Sequence, residues 1–240
     1  MKPTARQVIA FDADDTLWHN ETIFEKSHSD FADLLAPYVD LSAREIDDGL
    51  QAMVKRNIDS YGYGFKGFTL SMIEAALAMG GDRVAPAALN AILDLGRAMR
   101  THPVHPIDGA AEVVTELHRR GHELWLITKG DLFDQESKIA RSGLADKFAE
   151  IEIVSEKSEE TYRGLLRRHG VDAGSFLMIG NSLRSDILPV CGIGGKAVHI
   201  PYHITWAHEF VADPPQDASY ATLASIAELP ALLAQWRVAL

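Results

Sequence analysis

Two aspartates stand two positions apart, directly after a short apolar run near the start of the chain. The segment reads VIAFDADDTLW, so Asp12 and Asp14 follow Phe11. If the apolar run is a strand of an open α/β sheet, both carboxylates come at its carboxyl end, where such sheets bind ligands. Carboxylates this close repel each other unless a cation lies between them or one is protonated. A divalent ion that prefers oxygen ligands would remove the repulsion and create a site for a phosphate ester, and Mg²⁺ is the first candidate.

The aspartate pair also has simpler explanations. Aspartate is common in turns, so an Asp-x-Asp pair alone is weak evidence for catalysis. A calcium-binding loop counted from Asp12 is excluded, because Leu17 stands where that loop needs glycine and Ile23 where it needs glutamate. The functional interpretation therefore depends on polar residues at the ends of other predicted strands.

Three later apolar runs end at or just before residues able to bind phosphate or a metal ion: Thr128, Lys129, Lys157, Asn181 and Asp186. A hydroxyl and a backbone N–H at a strand end can hold phosphate oxygens. A lysine near the first aspartate would offset anionic charge on a nucleophile and on a phosphate. Taken singly, the threonine is equally well explained as a turn residue and the lysine as a surface residue.

Taken in order, DADDT, the strand-terminal Thr128, Lys157 and GNSLRSD resemble the four motifs of the haloacid dehalogenase-like hydrolase superfamily, over about residues 6 to 200. The resemblance is to its phosphatase branch with an α-helical cap inserted after the first motif. It implies that Asp12 attacks phosphorus and forms an aspartyl-phosphate that water hydrolyses. It further implies that Asp14 protonates the leaving oxygen and later activates the water.

The resemblance also implies the ligands of the phosphoryl group and the metal ion. Thr128 and the backbone N–H of Lys129 would bind phosphoryl oxygens, and Lys157 would stabilise the charge. Mg²⁺ would be held by the side chains of Asp12 and Asp186 and by the backbone carbonyl of Asp14.

The fourth motif departs from the pattern of many of these phosphatases. Asn181 stands where they have aspartate after the glycine. An amide oxygen can bind the metal but adds no charge, so the sequence leaves open whether Asn181 or Asp186 contacts Mg²⁺ directly.

Asp14 favours a Mg²⁺-dependent phosphatase of a small phosphate monoester over the alternatives. The dehalogenases of the superfamily need no metal and typically lack a carboxylate at this position, since a carbon–halogen bond leaves no oxygen to protonate. A 2-haloacid dehalogenase, a phosphomutase and a non-catalytic phosphate-binding protein remain the alternative functions.

The runs that must position these residues predict a parallel sheet. The predicted strands are buried on both faces and lie at Gln7 to Phe11, Glu123 to Thr128, Ile151 to Val154, Phe176 to Ile179 and Lys196 to Ile200. Helical patterns alternate with them, as in Ala110, Val113, Val114 and Leu117, so we predict a doubly wound α/β fold with a Rossmann-like core.

Residues 19–103 contain only helical periodicity, including a capping box from Ser42 to Glu45. We predict a core domain at 1–18 and 104–240 and a smaller all-helical cap at 19–103.

GYGFKG matches a dinucleotide pattern but follows a predicted helix, which argues against nucleotide binding. We predict a flexible cap loop whose Lys66 and aromatic residues close over the substrate, with packing between cap helices as the alternative. In HIPYHITWAHE, His203 or Trp206 is a candidate for the rim of the site.

The composition limits the class of protein. The 240 residues are 47% hydrophobic and 24% charged, as in ordinary globular proteins, and 23 basic against 34 acidic residues give a net charge of −11. This charge argues against nucleic acid or an anionic membrane as partner and leaves a small phosphorylated metabolite. Cys191 is the single cysteine, so no internal disulfide forms. Because no apolar run suits a signal peptide or a membrane span, we expect a cytoplasmic protein; the oligomeric state is not predicted.

Overall fold

The computed structural model describes residues 7–206, 209–212 and 220–236. Contacts between backbone segments divide the chain into two units. One unit is Met1–His19 with Val104–Leu240, and the other is Asn20–Pro103. Among the described residues, no helix has both the length and the hydrophobicity needed to cross a membrane.

A six-stranded parallel sheet forms the centre of the first unit. Its strands are β1 (Val8–Phe11), β2 (Glu123–Lys129), β3 (Glu150–Val154), β4 (Phe176–Gly180), β5 (Lys196–His199) and β6 (Tyr220–Thr222). Their spatial order is β3-β2-β1-β4-β5-β6, and every neighbouring pair is parallel. The chain therefore winds outward in both directions from β1, which confirms the predicted doubly wound fold. The five predicted strands are all present, and β6 was not predicted.

The second unit consists of four helices: α1 (Glu21–Leu35), α2 (Ala43–Tyr61), α3 (Phe65–Gly80) and α4 (Pro86–Thr101). They bury one apolar cluster, which includes Phe31, Leu50 and Ile92. The predicted capping box of α2 is confirmed. Ser42 Oγ accepts a hydrogen bond from the Glu45 backbone N–H at 3.3 Å, and Glu45 Oε2 accepts one from the Ser42 N–H at 2.8 Å.

The glycine-rich segment GYGFKG follows helix α2, so the strand that a dinucleotide motif requires is not there. The prediction of a flexible loop across the whole segment is wrong, because α3 begins at Phe65. Phe65 and Phe68 are buried in the helical unit, where their rings lie 5.3 and 5.1 Å from the ring of Phe24. Lys66 is exposed in the first turn of α3. These two phenylalanines therefore pack within the helical unit, as the alternative interpretation expected.

The helices of the first unit are α5 (Ala110–Arg119), α6 (Leu132–Ser142), α7 (Glu159–His169), α8 (Leu188–Gly192) and α9 (Leu229–Gln235). Helix α5 buries the predicted stripe of alanine, valine and leucine side chains. Helix α6 differs, because its buried residues include Asp134, Gln135 and Lys138. A π-helical segment, Leu183–Ile187, joins β4 to α8. Polar side chains thus accumulate beyond the carboxyl ends of the strands.

Candidate active site

Three charged side chains are buried together beyond the carboxyl ends of the central strands. Asp12 directly follows β1, Lys157 follows β3 and Asp186 lies in the segment after β4. Lys157 Nζ donates to Asp12 Oδ1 at 2.5 Å and to Asp186 Oδ1 at 2.6 Å. The three residues are 7%, 4% and 1% exposed. One ammonium group is therefore shared between two carboxylates that are shielded from water.

Burial dominates the electrostatics of these three residues. It raises the pKa of Asp12 to about 7, because the opposing attraction of Lys157 is smaller than the desolvation and the neighbouring Asp186 adds to it. Burial likewise raises the pKa of Asp186, against the attraction of Lys157. Burial alone would lower the pKa of Lys157, but the two carboxylates outweigh it and raise that pKa. The lysine is therefore charged, and its single positive charge does not fully offset the burial of the two carboxyl groups.

Two local features bring Asp186 to this cluster. A Cβ atom at Gly180 would lie 2.2 Å from Asp186 Oδ2, so only glycine fits at the end of β4. The widened π-helical turn then carries Asp186 back toward the strand end, where its Oδ2 accepts a hydrogen bond from the Ser182 N–H at 3.0 Å. Isolated π-helical turns are rare and concentrate at functional sites.

Thr16 links Asp12 to Asn181. Its Oγ1 lies 2.9 Å from Asp12 Oδ2 and 3.3 Å from Asn181 Oδ1, and it accepts a hydrogen bond from the Asn181 N–H at 3.1 Å. A hydroxyl has one proton, so Thr16 donates to only one of these oxygens at a time. The other oxygen keeps a lone pair available to a ligand.

Asp14 has a separate set of partners. Its Oδ1 accepts from Trp18 Nε1 at 2.7 Å, and its Oδ2 accepts from Gln135 Nε2 at 2.8 Å and from Lys138 Nζ. Asp15, the residue after Asp14, has a φ of 63°, which is uncommon for a residue other than glycine. The two predicted catalytic aspartates thus have different partners, because Asp12 contacts Lys157 and Thr16 instead.

The two predicted phosphate-binding residues at the end of β2 differ in their surroundings. Thr128 is 1% exposed, and its hydroxyl has no hydrogen-bond partner among the residues that the structure describes. Lys129 directs its ammonium group to Ser185 Oγ at 3.2 Å and to the carboxylate of Glu209. A buried hydroxyl without a partner is costly for a fold, so Thr128 is the clearer mark of a ligand position.

Glu209, which sequence reasoning missed, forms hydrogen bonds and an ion pair at the same end of the sheet. Its Oε2 accepts from Ser182 Oγ at 2.5 Å and from Ser185 Oγ at 2.6 Å, and its other oxygen pairs with Lys129. Burial alone would raise the pKa of Glu209, but Lys129 and the two serines lower it to about 2. His203, predicted at the rim, packs its ring 4.2 Å from that of Tyr202. Within the described part of HIPYHITWAHE, Glu209 joins the cluster, and His199 Nε2 lies 3.0 Å from the backbone carbonyl of Asn181.

The structure therefore brings together Asp12, Lys157, Asp186 and Asn181, and it places Lys66 in the other unit. Ser182, whose hydroxyl the sequence placed beside Asn181 after the fourth strand, also joins the cluster. The further polar residues that the sequence did not point to are Thr16, Gln135, Lys138, Ser185 and Glu209. Thr16 and Ser185 lie inside the quoted motifs and could have been found there. Gln135 and Lys138 stand three positions apart, on one face of a helix, but nothing in their spacing names Asp14 as their partner.

Comparison with known proteins identifies relatives of the whole chain. A family model described as haloacid dehalogenase-like hydrolase matches residues 7–189. A haloacid dehalogenase-like family hydrolase from Xanthomonas campestris is 39% identical, with a TM-score of 0.83 over 98% of this chain and 93% of that one. A 2-haloacid dehalogenase from Pseudomonas syringae shares the fold at 21% identity, with a TM-score of 0.63 over 96% of this chain and 99% of that one.

One curated relative has a named activity. It is a glyceraldehyde 3-phosphate phosphatase from Pyrococcus abyssi, 32% identical over 101 residues. The match covers 40% of this chain and 42% of that protein, so the chain spans less than half of the relative's length.

Proposed function

Because this chain belongs to the haloacid dehalogenase-like hydrolase family, we propose that it is a Mg²⁺-dependent phosphatase. It hydrolyses a small phosphate monoester through an aspartyl-phosphate on Asp12. The observation that carries the proposal is the buried Asp12 beside the Lys157 ammonium, with a second carboxylate, Asp14, two residues later and held by its own partners. A dehalogenase has the same fold, so the fold alone does not decide between the two activities.

In the proposed reaction Asp12 supplies the nucleophilic oxygen. The Lys157 ammonium contacts Asp12 Oδ1. The other oxygen, Oδ2, accepts a hydrogen bond from Thr16 and is the oxygen that attacks phosphorus. The Thr128 hydroxyl and the backbone N–H of Lys129 bind the oxygens of the phosphoryl group, and Lys157 offsets their charge. Asp14 gives its proton to the leaving oxygen and takes one back from the hydrolytic water.

The residues present fit a magnesium ion. Asp12, Asp186 and Asn181 offer oxygen atoms, and among the described residues the two carboxylates share one lysine. Among the described residues, three or more histidine, cysteine or acidic side chains nowhere form a group that could hold a metal ion, so the candidate ligands here are two carboxylates and one amide. Mg²⁺ suits such a set because it binds few protein ligands and keeps several waters. These three side chains and the Asp14 backbone carbonyl would hold it, and it would neutralise charge on the phosphoryl group.

Two parts of the proposal concern the rest of the chain. Family resemblance assigns the role of a cap to residues 19–103, with 1–18 and 104–240 as the catalytic core, and Lys66 remains a specificity candidate. The net charge of −11 favours small phosphorylated metabolites over polyanions as substrates. We infer a cytoplasmic location for the protein. If Lys66→Ala leaves kcat/KM unchanged over a panel of phosphate esters, Lys66 has no part in substrate binding.

The proposal is tested with a panel of several dozen phosphorylated metabolites and a 2-haloacid, each with Mg²⁺ and with EDTA. We expect phosphate release from at least one ester with Mg²⁺ only, and no halide release. Asp12→Asn serves as the blank, and Asp146→Asn, at an exposed aspartate, as the matched control. Halide release without metal would establish the dehalogenase instead. Magnesium binding without turnover of any ester would favour a phosphate-binding protein.

A further inference from the structure

We propose that Lys138 and Gln135 are positioning residues that lock Asp14 so that a single oxygen, Oδ1, transfers the proton. The inference deepens the proposed function and rests on it. Both residues lie on α6, and both donate to the same atom, Asp14 Oδ2, with Gln135 Nε2 at 2.8 Å. Neither the motifs nor the family resemblance assigned a role to this helix.

The distribution of donors around Asp14 separates its two oxygens. Each carboxylate oxygen has two lone pairs able to accept hydrogen bonds. Gln135 and Lys138 occupy both on Oδ2, whereas Trp18 Nε1 occupies one on Oδ1. In the part of the chain that the structure describes, the remaining lone pair of Asp14 is therefore on Oδ1. Oδ1 is therefore the oxygen of Asp14 that has room for a contact with a reacting group.

The donors on Oδ2 are themselves held firmly. Gln135 and Lys138 are 3% and 6% exposed, and they stand three residues apart on one face of α6. Gln135 Nε2 also donates to the backbone carbonyl of Lys129 at 3.2 Å. A Cβ atom at Gly130, where φ is 153°, would lie 2.7 Å from that nitrogen. The amide is thus clamped between the strand end and the helix, so it fixes the plane of the Asp14 carboxylate rather than following it.

The proton balance of the step uses these positions. Asp12 Oδ2 forms a bond to phosphorus as the ester P–O bond breaks. The electron pair of the broken bond passes to the leaving oxygen, which takes the proton from Asp14 Oδ1. The electron pair of the O–H bond stays on Asp14, and the Lys138 ammonium stabilises the resulting carboxylate through Oδ2. In the second step the oxygen of a water molecule bonds to phosphorus and Oδ1 takes a proton from that water. The P–O bond to Asp12 breaks and its electron pair returns to the Asp12 carboxylate, so both aspartates regain their starting state.

The test compares two esters that differ in their need for a proton. An alkyl phosphate leaves as a strongly basic alkoxide, whereas p-nitrophenyl phosphate leaves as a weakly basic phenolate. In Lys138→Met we expect kcat/KM to fall about 100-fold for the alkyl ester and less than about fivefold for the aryl ester. Lys138→Arg, which keeps the charge and the donors, should recover most of the loss. Lys147→Met, at a surface lysine paired with Asp146, is the matched control and should change neither value.

Several results would overturn the inference. An equal loss of kcat/KM on both esters in Lys138→Met would mean general damage to the site. Vanadate, a phosphate mimic, provides a second check: a rise of more than about threefold in its inhibition constant for this variant would also mean general damage. Unchanged values for both esters would mean that Asp14 is held without Lys138. Gln135→Leu provides an independent variant in case Lys138→Met does not fold, and we expect the same selective loss at smaller size. A wild-type protein that hydrolyses neither ester with Mg²⁺ would refute the proposed function itself, which is a different result from an active protein with indifferent variants.

Discussion

The interior of the helical unit and the carboxyl edge of the sheet differ in how fully their buried polar groups are paired. In the helical unit Ser27 Oγ donates to the Ile23 carbonyl at 2.8 Å, and Asn57 Nδ2 donates to Ser71 Oγ at 3.3 Å. At the sheet edge the Thr128 hydroxyl has no partner among the described residues. There too, Asp12 and Asp186 share a single lysine.

The two regions therefore differ in how their polar groups affect stability. Buried groups that find partners stabilise the native state modestly, whereas buried groups left short of partners are costly to it. Proteins retain such costly groups where a ligand or a reacting atom completes them. Substitutions in the helical unit should therefore lower stability, and substitutions at the sheet edge should lower activity with little loss of stability.

The largest effect is expected for Asp12→Asn. Loss of the nucleophile should lower kcat by about 10⁴-fold or more. The fold should survive, because Lys157 keeps its ion pair with Asp186 and the amide avoids burying a second carboxylate. Initial rates with the best ester and the thermal midpoint of unfolding measure the two effects. Activity above about 1% of wild type would refute the nucleophile assignment.

The helical unit should show the reverse pattern in Ile92→Ala. Ile92 is fully buried in the apolar cluster of that unit, so its truncation leaves a cavity. We expect the free energy of unfolding to fall by about 2–5 kcal/mol in urea titrations. Leu93→Ala is the matched control on the same helix, since Leu93 is 36% exposed, and it should change stability by less than about 1 kcal/mol. Equal losses for both variants would contradict the described packing.

Thr128→Val should affect stability and activity with opposite signs. Valine has the shape of threonine without the hydroxyl that lacks a partner, so the free energy of unfolding should stay constant or rise by up to about 1 kcal/mol. Loss of a donor to the phosphoryl group should lower kcat/KM roughly 30-fold. Ser27→Ala in the helical unit removes a bonded hydroxyl and should lower stability by about 1 kcal/mol. Loss of stability in Thr128→Val would show that its hydroxyl has a structural partner.

The sequence predicted the sheet and much of its polar edge for one physical reason. Continuously apolar runs are buried on both faces of a parallel sheet, and the carboxyl ends of parallel strands meet at one edge. Asp12, Lys157 and Asp186 could therefore be expected near one another before any coordinates. The strand Tyr220–Thr222 escaped because three residues are too few to show a pattern.

The rest of the site depends on facts that a linear pattern does not contain. Helix α6 buries the polar side chains of Gln135 and Lys138, so the apolar periodicity is interrupted on its buried face. The position of Glu209 depends on the path that the chain takes after β5, and no short spacing relates it to Lys129 or to Ser182. Buried polar partners of this kind are set by tertiary packing rather than by local preference.

Glu209 is an exception within the sheet edge, since it is a fully partnered anion, and its stability effect should depend on pH. Its pKa is lowered to about 2, so its contribution is present above its ordinary pKa of 4.5 and is lost as pH falls toward 2. Glu209→Gln should lower the free energy of unfolding by about 1–2 kcal/mol at pH 6 and by less at pH 3. Urea titrations of both proteins at the two pH values measure this. A difference that does not shrink in acid would place the effect in packing rather than in charge.

The smallest effect is expected at the start of α2, where a polar side chain serves only the helix. Ser42 Oγ accepts from the Glu45 N–H, so Ser42→Ala leaves a helix N-terminal donor without its cap. We expect a loss of about 1 kcal/mol in the free energy of unfolding. Ser60→Ala, at an exposed position inside the same helix, is the control and should be neutral or slightly stabilising, because alanine has the higher helix propensity. If Ser42→Ala also changed kcat more than about twofold, a polar group of the helical unit would take part in the reaction, and the contrast between the two regions would no longer hold.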